Sequence, residues 1–471
     1  MPQRRSHVAP SAAQTELAVA LTALRESLDA PVEFPAEVIA EAEEAHAAAP
    51  ERDLRDIAFA TLDPQGSRDL DQAFQLERRA GGYTVRYAIA DVPGFIEPGG
   101  AVDAEARRRG QTLYAADGSI PLHPRMLSED RASLLAGVDR PALVWTFALD
   151  DAGTVSDFRV ERALIRSRAQ LDYVSTQAAL DRGEDGLWAL LPEVGALRIE
   201  QERLRGGASL NLPDEEVVRA EDGTYAIERR RPLPVEEWNA QLSLMTGMAA
   251  ASLMLDARTG ILRTMPQPDE KSFDAFRLQT EALGRPWISG EYGEYLRGLD
   301  REDPLTLPVL EAASMLFRGA GYVAFDGETP DSTMQAAIGA PYAHATAPLR
   351  RLVDRWTLAI CLAVSRGEEV PAWARDSLAT LPALMQESGQ RASRLNSATV
   401  NAVEAALLTP FVGSMIDATV IESRGERATI QIAAPAVTAS APLPTGAKPG
   451  DVVRLKVVRA DIGRGEVDFE I

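Results

Sequence analysis

The chain has 471 residues, 45% of them hydrophobic, one cysteine, and a formal net charge of −21. That length exceeds what one hydrophobic core serves, so two or three domains are expected; the lone cysteine excludes an intrachain disulfide, and the basic start Met1-Pro2-Gln3-Arg4-Arg5 leads into no long apolar run, which argues against a leader or membrane span and for a cytoplasmic protein. The acidic balance opposes contact with a polyanion except where arginines cluster, as at Arg107-Arg108-Arg109, Arg229-Arg230-Arg231, Arg350-Arg351 with Arg355, and Arg391 with Arg394.

From the N-terminus, residues 12–28 place Leu17, Ala20, Leu21, Leu24 and Leu28 at helical spacing. Pro35-Ala36-Glu37 then opens a second helix predicted to run to Pro50. Two such amphipathic helices can form a helix-turn-helix or dock on a neighbouring domain. Strands dominate residues 57–165, with alternation in 83–90 and in 142–149, the latter ended by Asp150-Asp151-Ala152-Gly153. Near the start of this region Asp63, Asp69 and Asp71 crowd around the turn Pro64-Gln65-Gly66-Ser67, beneath Ile57-Ala58-Phe59-Ala60. Like charges held together oppose one another's ionisation, which calls for a cation, and all-oxygen ligands point to Mg²⁺ or Mn²⁺ rather than zinc. An acidic turn whose side chains bond nearby backbone N–H groups explains the same letters equally well.

Helical periods take over further on, with long helices predicted over 235–255 and 348–364. Cys361 sits within the second, in Leu358-Ala359-Ile360-Cys361-Leu362, and reads as a packed small hydrophobe rather than a nucleophile. The tail, 412–471, offers short strands separated by Gly-containing turns, the pattern of a five-stranded OB barrel. Phe469, with Phe411 just before the tail, is its aromatic content, so backbone contact is a safer role for it than base stacking. The expected organisation is an α+β protein: a helical element over 1–50, a mixed α/β domain over 51–408, and an OB-fold domain over 409–471.

The acidic turn resembles the signature of the ribonuclease II and ribonuclease R family of 3′→5′ exoribonucleases, and further similar blocks follow in order. They are Ala88-Ile89-Ala90-Asp91-Val92, Phe95-Ile96-Glu97-Pro98-Gly99, Arg109-Gly110-Gln111-Thr112-Leu113-Tyr114, and Ile120-Pro121-Leu122-His123-Pro124 with Leu127-Ser128. A second signature resembles Tyr342-Ala343-His344-Ala345-Thr346-Ala347-Pro348-Leu349-Arg350-Arg351, with Ala347 where the family usually has Ser. The resemblance covers about residues 50–470 and extends to the RNA-binding barrel of the ribosomal-protein S-one type that closes the family. It implies an RNB-type catalytic domain.

By this resemblance Asp63, Asp69 and Asp71 take three of four catalytic aspartate positions, and Gln72 takes the fourth with a neutral amide. Two divalent ions roughly 3.5–4 Å apart can activate water and stabilise the departing 3′ oxygen. Asp71 corresponds to the central carboxylate, while Asp91 and Glu97 are candidates for supporting the ligands or for surface and turn carboxylates. Arg350 corresponds to an arginine near the scissile phosphate, whose fixed fork lysine replaces poorly. Tyr114 corresponds to an aromatic that stacks near the 3′-terminal base, with Arg351 and Glu236 as further RNA-facing candidates; His344 is expected to be structural. Leu210 or Asn211 stands where family members often carry a base-clamping aromatic, and 1–50 is too short and helical for the cold-shock-type domains of the best-known members. The implied activity is a Mg²⁺-dependent hydrolytic exoribonuclease, with Mn²⁺ able to substitute, acting processively as a monomer on single-stranded 3′ ends and on structured RNA with a 3′ overhang. Gln72 keeps open a catalytically weak relative that sequesters RNA; a small-nucleotide phosphohydrolase would not need the tail barrel.

Overall fold

The computed structural model describes the chain except residues 1–3, 8–11, 29–30, 116–117, 209, 211, 213, 220–224, 301–302, 304–305, 434 and 436. Asn211 therefore lies outside the described residues, as does the side chain of Arg229.

The alternating segments close into a barrel. Strands Phe59–Asp63, Gln72–Arg79, Gly82–Ala90 and Asp139–Leu149 pair in succession, and the 18-residue strand Val155–Asp172 joins both ends of the series. Its first part runs antiparallel to Asp139–Leu149, and its last residues run parallel to Phe59–Asp63, with Asp63 opposite Asp172. Alternation decides what fills the interior: Tyr83, Val85, Tyr87 and Ile89 join Leu143, Trp145, Phe147 and Leu149 in the main core. Trp145, Phe147 and Phe158 cluster with ring centroids 6.0–6.3 Å apart, a separation at which aromatic pairs attract.

Helix Pro234–Ala257 and helix Leu352–Ser365 pack against this core. Proline starts the first, where a missing N–H costs nothing. Gly247 lets the chain at Tyr342 approach the helix backbone: a Cβ there would stand 2.1 Å from the Tyr342 ring, and Ala343 N donates to the Gly247 carbonyl at 3.0 Å. The second helix begins four residues later than the sequence predicts, because Leu349 and Arg350 are held in a turn by the bonds Leu349 N to Asp71 Oδ1 and Arg350 N to Ala347 O.

The tail strands lie in the order Val437–Pro442, Arg427–Ile432, Met415–Arg424, Val452–Asp461, Glu466–Glu470, and the two outer strands approach each other to give a nearly closed, OB-like barrel. Among the described residues, the two N-terminal helices contribute to different clusters. Ala12–Ser27 buries Leu17 and Leu21 with the end of helix Leu381–Leu408 and the tail barrel, whereas Ala36–Glu44 buries Val38 and Ala42 beside helix Ala101–Arg109. The latter stops at Glu44 rather than Pro50 because Ala48 N and Glu51 N are drawn to the carbonyls of Gly94 and Arg162. Strand Arg4–His7 pairs with Tyr225–Arg230, which pairs with Asp214–Arg219, a sheet the sequence pattern did not reveal.

Candidate active site

The acidic turn joins two barrel strands. Gly66, at φ +85, supplies the left-handed residue that the Pro64–Ser67 turn requires, and Ser67 N closes it on the Pro64 carbonyl at 3.2 Å. Ser133 pins the following loop, accepting from Leu70 N at 3.0 Å and donating to the Arg68 carbonyl at 2.6 Å. Asp63 thus ends one strand, Gln72 begins the next, and Asp69 and Asp71 hang between them.

Asp71 is the junction with the second signature. Its Oδ1 accepts from Leu349 N at 2.8 Å across 278 residues of sequence, and its Oδ2 faces Arg350 Nε at 3.4 Å. Burial drives its pKa well above the usual carboxylate range, against the opposing pull of Arg350 and the Leu349 N–H. Asp63 is pushed up to about 7 by burial, then by Asp69, with Arg350 again opposing. Asp69 rises for the same first reason. One arginine thus faces three under-compensated acids. Asp63 Oδ2 is a buried oxygen with no hydrogen-bond partner, as is the hydroxyl of Tyr87, whose pKa is raised by burial and by Asp63 and Asp71.

Among the described residues, no three His, Cys, Asp or Glu side chains are gathered closely enough to grip a metal ion as they stand. The donor chemistry nonetheless fits a hard divalent cation: all the acids are oxygen ligands, desolvated, and one oxygen is orphaned. Gln72, expected at a fourth ligand position, donates its amide to the Thr346 carbonyl, which leaves its Oε1 for any ligand.

The remaining candidates separate by their partners. Tyr114 is 57% exposed, and with Gln111, Arg350, Arg351 and Asn396 it lines a cleft of 290 Å³. Its loop is fixed to the signature by Thr112 N donating to the Arg350 carbonyl at 2.9 Å. Arg351 is bound through two nitrogens to the buried Asp354, so only its edge reaches that cleft. Glu236 accepts from Leu233 N at the start of its helix, capping it, and pairs with Arg230. Asp91 is fully buried against Arg162, at 2.6 Å, and caps a short turn; Glu97 is exposed. His344 bonds to the Tyr322 hydroxyl at 2.7 Å, and burial holds its pKa well below the usual value, so it stays neutral. Leu210 packs in a separate cluster around Phe276 and Trp287. Cys361 is fully buried with its pKa pushed up by desolvation.

The arginine clusters are mostly paired: Arg107 with Asp103, Arg108 and Arg109 with Glu105, Arg355 with Asp103, and Arg391 with Glu387. Arg350 is the one aimed at the aspartates. Sequence reading passed over Asn239, Ser243 and Tyr173. Asn239 donates to the Leu62 carbonyl at 3.3 Å, Ser243 and Thr346 share a hydrogen bond at 2.7 Å, and Tyr173, near Asp63, is pushed up to about 12 chiefly by burial. Asn239 and Ser243 are polar residues four apart and so share one face of their helix, which was the available signal.

Residues 51–364 match the RNB domain model and residues 415–471 match the RNase II-type exonuclease C-terminal S1 domain. Ribonuclease R of Escherichia coli (strain K12) is 28% identical over 321 residues, a match covering 64% of this chain and 39% of that protein's length. The RNase R structure from Mycoplasma genitalium superposes with a TM-score of 0.86 at 17% identity, covering 96% of this chain and 78% of that one; the same protein is solved in complex with double-stranded RNA, at a TM-score of 0.84, 17% identity, and coverage of 97% and 83%. Yeast Ssd1, a pseudonuclease, superposes with a TM-score of 0.69 at 15% identity over 90% of this chain and 55% of its own.

Proposed function

The chain belongs to the RNB domain family, and we propose that it is a Mg²⁺-dependent hydrolytic exoribonuclease that works from 3′ ends and releases nucleoside 5′-monophosphates processively. The observation that carries this reading is the junction at Asp71, where the acidic turn meets Leu349 and Arg350 of the second signature.

Asp63, Asp69 and Asp71 would hold the divalent ions, with Gln72 Oε1 as a neutral addition. The ions supply an activated water and charge for the departing 3′ oxygen when bound. The chain's own groups do the rest. Leu349 N fixes the Asp71 carboxylate, so its orientation is set before substrate arrives. The Arg350 guanidinium, beside Asp71, neutralises charge that grows on the phosphate oxygens as the P–O3′ bond breaks and water adds to phosphorus. The exposed ring of Tyr114 gives the terminal base a π-face, which suits any of the four bases. Tyr87 and Tyr173 shield the acids on the barrel side, where low polarity strengthens each of these charge interactions.

Single-stranded 3′ ends are the primary substrate in this reading, and duplexes with a 3′ overhang the second, a choice supported by the duplex RNA held by the Mycoplasma relative. A second reading is an RNA-sequestering protein without turnover, favoured by the engagement of Gln72 with Thr346 and by the likeness of fold to a pseudonuclease. Labelled single-stranded RNA with Mg²⁺ separates the two. Mononucleotide product from the wild type, with Asp71→Asn binding RNA but not turning it over, supports the hydrolase. Retarded, intact RNA under the same conditions would establish the sequestering protein instead.

A further inference from the structure

A second cleft lies behind the helix that lines the active site. At about 100° per residue, Asn239 and Ser243 of helix Pro234–Ala257 face the aspartate turn and second signature, while Met245 and Met248 point to the opposite side. There they border a cleft of about 590 Å³ with Phe158 and Leu204, a volume and an apolar wall suited to a small organic molecule.

Its polar end holds Arg198 and Arg205. Arg198 is only 4% exposed; its Nη1 donates to the Gly153 carbonyl at 2.7 Å, and its Nε has no partner. Arg205 Nε donates to the Ile338 carbonyl at 2.8 Å, and its Nη2 has no partner. Burial first, and then the charge of Arg205, hold Arg198 down to about 10, with Glu202 opposing. Glu202 also accepts the Gln241 amide at 2.6 Å, and Asp157, at the mouth, is exposed to water that screens it. Two largely buried arginines at the end of an apolar cleft, each held to a backbone carbonyl through one nitrogen, present positive charge to an anion attached to an apolar body.

We propose that this cleft binds a nucleoside 5′-monophosphate, with the phosphate on Arg198 and Arg205 and the base against Phe158 and the two methionines. Flat π-systems pack well on thioether and aromatic groups. The anion and apolar chemistry stands on the cleft alone; the choice of a mononucleotide rests on the hydrolytic reading above, because that reaction releases this compound. The cleft would then be a product site separate from the catalytic one.

The test is calorimetric titration of the full-length chain with AMP in EDTA, with adenosine and inorganic phosphate as separate titrants. AMP should bind at one site, and each half-molecule at least about tenfold more weakly, since each makes only part of the contacts. Arg205→Gln should weaken AMP by about tenfold or more, Met248→Trp should abolish binding by filling the cleft, and Arg350→Ala should leave it unchanged. Thermal melts establish that the variants fold; should Met248→Trp fail, Arg205→Gln decides. No AMP binding to the wild type, binding that survives Arg205→Gln, or binding lost in Arg350→Ala would overturn the proposal. RNA hydrolysis by the wild type is read separately: intact hydrolysis without AMP binding removes only the cleft, and AMP binding without hydrolysis removes only the catalytic reading.

Discussion

Asp63 offers a test of the site that does not depend on turnover. Its carboxyl, partly buried and pushed from 3.8 to about 7, is harder to ionise in the folded chain than in the unfolded one. The folded state therefore holds a proton that the unfolded state has lost between those values, and stability falls as pH rises through the window. At about 1.4 kcal/mol per pH unit the full gap is worth roughly 4 kcal/mol, and residual solvation of the side chain lowers this to about 2–4 kcal/mol. Asp63→Asn removes the titration. In EDTA, the variant should match the wild type near pH 4, gain on it steadily to pH 7, and keep a constant advantage above that. Urea unfolding followed by tryptophan fluorescence at several pH values measures the difference. Mg²⁺ at pH 8 should then stabilise the wild type more than the variant, because only the former presents the charge. Parallel pH profiles for the two proteins would refute the claim that Asp63 is desolvated and under-compensated.

Other substitutions probe different links. Arg350→Lys keeps the charge but loses the planar fork beside Asp71, and single-turnover assays should show a fall of at least about a hundredfold with RNA affinity little changed. Gln72→Asp puts a full charge where the Oε1 dipole stands, so the Mg²⁺ concentration for half-maximal activity should fall; an unchanged or raised requirement would show that position 72 does not face the ions. Leu17→Ala, at a fully buried position shared with the tail barrel, should cost about 2–5 kcal/mol in denaturant unfolding, whereas Val19→Ala, 66% exposed, should change stability by less than about 0.5 kcal/mol.

The parts legible in the sequence are those whose physical cause is local. Alternation over residues 83–90 and 142–149 has a period that only a strand satisfies, and both segments are neighbouring barrel strands. The Pro64–Ser67 turn and the proline-led helix at Pro234 likewise carry their signals within a few residues. What escaped is set by partners distant in sequence. Nothing near Arg4–His7 announces that it pairs with Tyr225–Arg230, and nothing near residues 45–50 shows that the chain will be pulled from a helix toward Gly94 and Arg162.

The same division runs through the site. Composition suggested that clustered arginines could attract a phosphate chain, but a cluster on a helix has its own carboxylates one turn away, and Arg107, Arg108 and Arg109 are taken by Asp103 and Glu105. Arg351 is captured by Asp354 for a similar reason, three residues on in the first turn of the helix that Arg351 precedes. Arg350 escapes because the turn at 347–350 points it out of the helix and toward Asp71, whose acidic neighbours are supplied by another part of the chain. Availability for a substrate is thus decided by whether a charge finds its partner locally. The arginine whose acidic helical neighbour, Asp354, is already taken by Arg351 is the one left facing three desolvated acids, and the electrostatic imbalance that makes this site costly to fold is what equips it to take up cations and phosphate.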